Sequence, residues 1–370
     1  MRRSGAAAVV ALGVCLLVLA APSGLAAPTA LPTHSLPFGV AIPPFLNITY
    51  NSSVDHFPLS YAEWLPAGYN GSRHTSLIVY LHGLEGGKGN AVRGGVKSDF
   101  MGFLTFSSVE GVTARGLLQN ASLAGDIFIS LNTRTAGGYY VNSPCGGPQE
   151  QDVLDAIAHE KSRHAIAHVY LLGFSMGAIG ALSIADHYPK LIKGIAVVGA
   201  STDQFEEGNY TEFKALGGAS WASGAVTSWN RLTCGNATTS LGMEYHLSSA
   251  RYDPQNLSGV SIWIVGGGGD LLTPNNASIW PYMEVNNSFV NSTCVTIVGE
   301  PANCTTTLRS LHANNSASFS FRMVLEMKAP HNIAMFAPAD VFGFWSGRLF
   351  GGYFESSYPP TTVVVAPTPP

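Results

Sequence analysis

Charge is what this sequence has least of. Asp, Glu, Lys and Arg make up 11% of its 370 residues, against roughly a quarter in ordinary globular proteins. The 19 Lys and Arg form no basic stripe, so nucleic acid is not an expected partner. After the first 27 residues no apolar run is long enough to span a bilayer. The 5 cysteines come without the paired Cys-x-x-Cys or His spacing that would hold zinc. Few carboxylates also means few groups that must titrate in acid, which points toward work in an acidic or harsh exterior. The plainer account of the low charge is that glycans provide the solubilising surface.

The start of the chain has a defined pattern. Arg2 and Arg3 precede an apolar run from Ala6 to Ala21, and small residues follow at Ser23, Gly24, Ala26 and Ala27. Residues 1–27 therefore read as a secretory signal, with an uncleaved N-terminal anchor as the alternative. Losing Arg2 and Arg3 takes the formal charge from −4 to −6. Twelve Asn-x-Ser/Thr sequons, at Asn47, Asn51, Asn70, Asn120, Asn209, Asn236, Asn256, Asn276, Asn286, Asn291, Asn303 and Asn314, fit an exported glycoprotein. So do the four cysteines left after signal removal, Cys145, Cys234, Cys294 and Cys304, an even number suited to two disulfides. Three pairings are open. Cys294 with Cys304 is the local one, and it would leave Cys145 with Cys234. The expected location is secreted or cell-surface.

Short, almost wholly apolar runs recur: Ser76–Leu81, Gly125–Leu131, His168–Leu172, Gly194–Gly199, Ser261–Val265 and Phe321–Met327. Such runs are strands buried on both faces, as in a parallel sheet. An earlier strand is expected between Phe38 and Tyr50, and another ends at Tyr61–Pro66. Helices are expected over 149–164 and Ala178–His187. The alternation predicts an α/β fold with one parallel sheet in residues 28–350. Residues 204–257 break the rhythm with Phe205, Tyr210, Phe213, Trp221, Trp229 and Tyr245, and read as a cap-like insertion over the carboxyl ends of the strands. Residues 351–370 form a Pro- and Thr-rich tail without a folding pattern.

One of those strands runs into Gly173-Phe174-Ser175-Met176-Gly177. Strand, Gly-x-Ser-x-Gly and helix is the context in which a serine is forced onto a sharp elbow with its hydroxyl exposed. A serine hydroxyl needs a base to take its proton and an acid to orient that base. Downstream, Gly266–Gly269 free the backbone ahead of Asp270, and His331 follows on a loop, giving the order Ser, Asp, His. Asp203 is a rival acid. His246 and His312 sit in Asn/Ser-rich surroundings and read as surface residues. The oxyanion donors would be the backbone N–H groups of Met176 and Leu84, the latter in the loop Leu81–Gly87. His82 reads as structural, packed under that loop.

Tyr61-Ala62-Glu63-Trp64-Leu65-Pro66-Ala67-Gly68-Tyr69, then Leu77–Gly83, resembles the opening of esterase D-like, polyhydroxybutyrate depolymerase-like and feruloyl esterase-like members of the α/β-hydrolase superfamily. Gly173–Gly177 is similar to their elbow, and Gly269-Asp270 with Thr273-Pro274 to their acid loop. The resemblance runs from about residue 55 to 345. It implies a mostly parallel eight-stranded sheet flanked by helices, and ester or amide hydrolysis without metal or cofactor. It carries over Ser175, Asp270 and His331 as triad and Leu84 and Met176 as oxyanion donors. Ala178 departs from the family, which often has glycine there, and 204–257 matches nothing in it. The expected activity is carboxylic ester hydrolysis through an acyl-enzyme, on a small-molecule or polymer ester. The alternatives are a prolyl-oligopeptidase-like peptidase and a non-catalytic cell-surface binding protein.

Overall fold

Six of the expected buried runs form consecutive parallel neighbours in the computed structural model. The structure describes residues 44–83, 99–104, 107–134, 140, 142–143, 147–200, 254–257, 260–267, 290–292, 296–297, 306–308, 321–326, 331–336, 338–345 and 362–365. All belong to one compact unit, Ala41–Pro370. The principal strands are β1 (Leu46–Asn51), β2 (Pro58–Trp64), β3 (Thr75–Leu81), β4 (Ile127–Leu131), β5 (Ile166–Phe174), β6 (Gly194–Val198), β7 (Ser261–Gly267) and β8 (Phe321–Glu326). Their order across the sheet is β1-β2-β4-β3-β5-β6-β7-β8. β2 is antiparallel to both of its neighbours, and β4, β3, β5, β6, β7 and β8 run parallel. The expected eight strands are thus present, and two short segments carry the sheet further. Thr362–Val365 pairs antiparallel with β8, and Thr296–Ile297 pairs with it in turn. The β-branched run Thr362-Val363-Val364-Val365 suits a strand, although it lies within the Pro- and Thr-rich tail.

Alternate residues of each strand feed two cores. Leu77, Val79 and Leu81 of β3 face α3 (Gln149–Arg163) and α4 (Met176–His187), while Ile78 and Tyr80 face α1 (Asp99–Phe103), α2 (Val109–Ala124) and α5 (Pro338–Trp345). This two-sided burial is why the strands read as unbroken apolar runs. α1, α2 and α5 were not expected. α2 carries Gly111 and Gly116 in its interior, which lowers its helical propensity. Gly116 lies close against Pro338, where a Cβ would come within 3.1 Å of the ring. The helix closes on Gly125 at φ 81°, whose N–H bonds the carbonyls of Ala121 and Ser122.

At the sheet's other end, Glu63 of β2 and Glu160 of α3 are buried around the Arg163 guanidinium. Arg163 bonds both Glu63 oxygens (3.1 and 2.9 Å) and Glu160, and His164 Nε2 meets Glu63 at 2.8 Å. Burial holds the Glu160 carboxyl above the ordinary carboxylate range.

Candidate active site

The backbone between β5 and α4 is strained at one residue. Ser175 has φ 54° and ψ −119°, a region that side chains with a Cβ rarely occupy. The turn is tight because three backbones converge on it. A Cβ on Gly173 would overlap the backbone of Gly177 and Ala178, and one on Gly177 would overlap the Leu81 carbonyl. The glycines are therefore required by close approach. Ser175 is also tied across the sheet, its N–H donating to the Val198 carbonyl of β6 at 2.9 Å. α4 begins immediately, two residues earlier than the sequence pattern indicated, so Met176 is its first residue. An N–H in the first turn has no intrahelical acceptor and lies at the positive end of the helix, as an oxyanion donor should. Ala178 is fully buried in the first turn of α4.

His331 is brought to the same place. Its imidazole packs on the ring of Phe174, the residue before the nucleophile candidate, with centroids 5.1 Å apart and planes at 35°. The next residue anchors the loop. Asn332 Oδ1 accepts the Ala334 N–H at 2.8 Å, capping the short 3-10 turn Ile333–Met335, and its Nδ2 donates to Glu110 at 2.5 Å. Glu110 opens α2. Burial opposes its ionisation, but hydrogen bonds from Ser108 and Asn332 outweigh this and hold its carboxyl below the ordinary range.

The third component is the end of β3. His82 is fully buried, as its structural reading requires. Its Nδ1 lies 2.6 Å from the Gly83 carbonyl oxygen and its Nε2 3.1 Å from Thr133 Oγ1. A carbonyl only accepts, so Nδ1 carries a proton, and in the neutral ring Nε2 accepts from the Thr133 hydroxyl. Both ring nitrogens are taken by protein groups and the ring is fully buried, as a structural residue's would be. The His82 N–H donates to Tyr140 Oη at 2.7 Å. Gly83 sits against Phe174, where a Cβ would lie 3.1 Å from its ring. Phe174 thus lies against both Gly83 and the candidate base.

Sequence reasoning did not single out Asp99. It is buried at the start of α1, and its carboxylate accepts the Gly83 N–H at 2.8 Å and the Tyr80 hydroxyl at 3.2 Å. Burial pushes its pKa up to about 7, against the hydrogen bonds from Gly83, Tyr80 and Phe100 that favour the ionised form. Asp99 is sixteen residues from its backbone partner and belongs to no motif. Glu110 is likewise far from Asn332, 222 residues along the chain.

Asp270 and Leu84 lie outside the described residues, as do Asp203, His246, His312, residues 1–27, the four mature cysteines and nearly all of 204–257. β7 ends at Gly267, on the same edge of the sheet as Ser175, and Asp270 follows it in the chain. Among the described residues one trio, Glu63, Glu160 and His164, has ligand atoms within 4.8 Å of one another. Arg163 already provides the cation there, and His164 precedes β5 whereas Ser175 follows it. At roughly 3.3 Å per strand residue the trio is remote from the serine.

No protein-family model matches the sequence, and no curated protein does. Solved structures do match. A dipeptidyl aminopeptidase IV from Bacteroides ovatus aligns at a TM-score of 0.55 and 14% identity, over 83% of this chain but only 36% of its own length. The fluorophosphonate-binding serine hydrolase FphF of Staphylococcus aureus aligns at 0.53 and 12% identity, over 82% of this chain and 98% of its own. An S-formylglutathione hydrolase from Agrobacterium tumefaciens aligns at 0.51 and 12%, over 81% and 94%. These likenesses show the fold: a mostly parallel sheet, helices on both faces and a strand-to-helix serine elbow make this an α/β-hydrolase fold.

Proposed function

We propose that the protein is an exported serine hydrolase that cleaves carboxylic esters. The observation that carries the reading is the Ser175 backbone, strained at φ 54° on a Gly-x-Ser-x-Gly elbow, with His331 packed on the adjacent Phe174. Strain of this kind persists where the surrounding structure over-determines it, and it marks functional positions. Ser175 Oγ attacks the ester carbonyl carbon as His331 takes its proton. The oxyanion is held by the N–H groups of Met176 and Leu84. Collapse of the tetrahedral intermediate expels the alcohol, which receives the proton from His331. Water, deprotonated by His331, then attacks the acyl-enzyme, releasing the acid and restoring Ser175. Asp270 holds His331 in the productive tautomer and stabilises its cationic form. The apparent signal segment, the sequons and the even count of mature cysteines support export.

Peptide hydrolysis is the second reading, favoured by the likeness to the dipeptidyl aminopeptidase. Ester cleavage is preferred because FphF, the S-formylglutathione hydrolase and a ferulic acid esterase align over nearly their whole length, whereas the chain spans about a third of the peptidase. Turnover of p-nitrophenyl acyl esters is compared with that of peptide p-nitroanilides across acyl lengths. Esters turned over at least about 10²-fold faster in kcat/KM is the expected result. The reverse order identifies a peptidase, and no turnover of either identifies a binding protein on a hydrolase fold.

A further inference from the structure

We propose that strand β1 carries N-linked glycans at Asn47 and Asn51, and that the pair shields the open edge of the sheet. The inference rests on the export reading above, since such glycans are attached along the secretory route. Among the described residues β1 ends the sheet, paired with β2 in the antiparallel register Ile48↔Tyr61 and Thr49↔Ser60. The Ser60 carbonyl accepts the N–H of Asn132, just beyond β4, at 3.1 Å, so Ser60 turns its backbone groups toward β4. Successive residues of a strand point theirs to opposite sides. Tyr61 and Glu63 therefore turn theirs toward β1, where Ile48 and Leu46 face them. Asn47, Thr49 and Asn51 are the residues whose N–H and C=O groups are directed away from β2.

The same three residues face solvent. Asn47, Thr49 and Asn51 are exposed, whereas Ile48 is half-buried and Tyr50 is buried, its hydroxyl donating to the Asp152 carbonyl of α3 at 3.0 Å. Asn47-Ile48-Thr49 and Asn51-Ser52-Ser53 are both acceptor sequons, and Ser53 is exposed as well. At roughly 3.3 Å per residue the two asparagines lie about 13 Å apart on one side of the strand, which leaves room for two glycans. An open edge is a template for another strand, and proteins blunt it with lysine, proline or other charge. Leu46–Asn51 holds none of these, and Leu46 is itself 49% exposed. A bulky, hydrated glycan on each asparagine supplies the missing block. Its attachment is a substitution at a sugar carried on a lipid diphosphate. Asn Nδ2 bonds to the anomeric carbon, the bond from that carbon to the diphosphate oxygen breaks, and the lipid diphosphate leaves as Nδ2 gives up one proton.

The test expresses the full chain through a eukaryotic secretory route. The secreted protein is digested, treated with a glycan-releasing amidase in heavy-oxygen water and mapped by mass spectrometry, so that each glycan-bearing asparagine becomes a labelled aspartate. Label at Asn47 and Asn51 is the expected result. Wild type is then compared with the double variant Asn47→Gln, Asn51→Gln by sedimentation velocity over a range of concentrations. The double variant is expected to lose both glycans, to keep its ester turnover per folded molecule, and to shift to larger species than wild type as concentration rises. Should it not be secreted, release of the glycans from folded wild type by the amidase gives the same comparison. Glycans on other sequons with β1 bare at both asparagines overturn this proposal alone, and a dimer in that case identifies pairing between copies as the cover of the edge. A glycosylated β1 whose glycan-free form sediments as wild type does overturns the shielding role. Protein that stays inside the cell with no glycan at any sequon overturns the export reading and this inference together.

Discussion

The imidazole of His331 rests on the ring of Phe174, 5.1 Å between centroids. Phe174, the residue before Ser175, thereby contacts the candidate base, and its ring also lies against Gly83, two residues past the end of β3. Phe174→Ala removes that support. It is expected to destabilise the fold by about 3 kcal/mol, as truncation of a buried phenylalanine does, and to lower kcat/KM by about tenfold or more in the fraction that remains folded. Phe174→Leu retains part of both. Thermal melts and ester kinetics on the two variants check this.

The elbow glycines separate sharply from a glycine required only by its dihedral. A Cβ at Gly177 meets the Leu81 carbonyl, backbone that cannot swing aside. At Gly125 the φ is 81° and the nearest atom is the flexible end of Arg73. Gly177→Ala is expected to cost at least about 2–3 kcal/mol and nearly all activity. Gly125→Ala is expected to cost about 1 kcal/mol with activity per folded molecule intact. Denaturant titration gives both.

Asn332 fixes the backbone just beyond His331 through Ala334 and Glu110. Asn332→Ala is expected to lower stability by about 1 kcal/mol, the usual worth of a side-chain cap, and to reduce kcat severalfold as His331 loses its anchor. Glu110→Gln is expected to have a smaller effect in the same direction. An Asn332→Ala enzyme with wild-type kcat contradicts the anchoring role.

Buried carboxyls give stability a definite pH dependence. Asp99 titrates at about 7 in the fold against 3.8 for a free side chain, and Glu160 is also raised, in both cases chiefly by burial. Over that interval the folded chain retains protons that the unfolded chain has released. This contribution to stability is therefore full below about pH 4, declines as pH rises and is gone above about 7. Melting temperature is expected to fall between pH 5 and 8, and the double variant Asp99→Asn, Glu160→Gln to flatten the fall. A melting temperature that rises across this range contradicts the assignment.

Much of this was legible before any coordinates. The strands β3, β4, β5, β6 and β7 declared themselves because a parallel strand covered on both faces must be apolar along its length. β5 begins at Ile166, two residues before the expected start at His168, because the exposed Ala167 and His168 separate Ile166 from the apolar run. The elbow at Ser175 was legible because it needs small neighbours at fixed offsets, and the chain order of a triad on this fold is what singled out His331 as the candidate base. Asp99 and Glu110 were not, since each acts through a partner far along the chain and neither sits in a local pattern. α2 was hidden by Gly111 and Gly116 in its interior, the latter close against Pro338.

The central claim is that Ser175 is the nucleophile. The most direct measurement is p-nitrophenyl ester turnover by wild type and Ser175→Ala, with intact-mass and peptide mapping of the fluorophosphonate adduct. The account predicts one adduct, on the peptide bearing Ser175, and at least about a 10³-fold loss of kcat in a Ser175→Ala protein that melts like wild type. Turnover within tenfold of wild type in that variant, or an adduct on another residue, contradicts it.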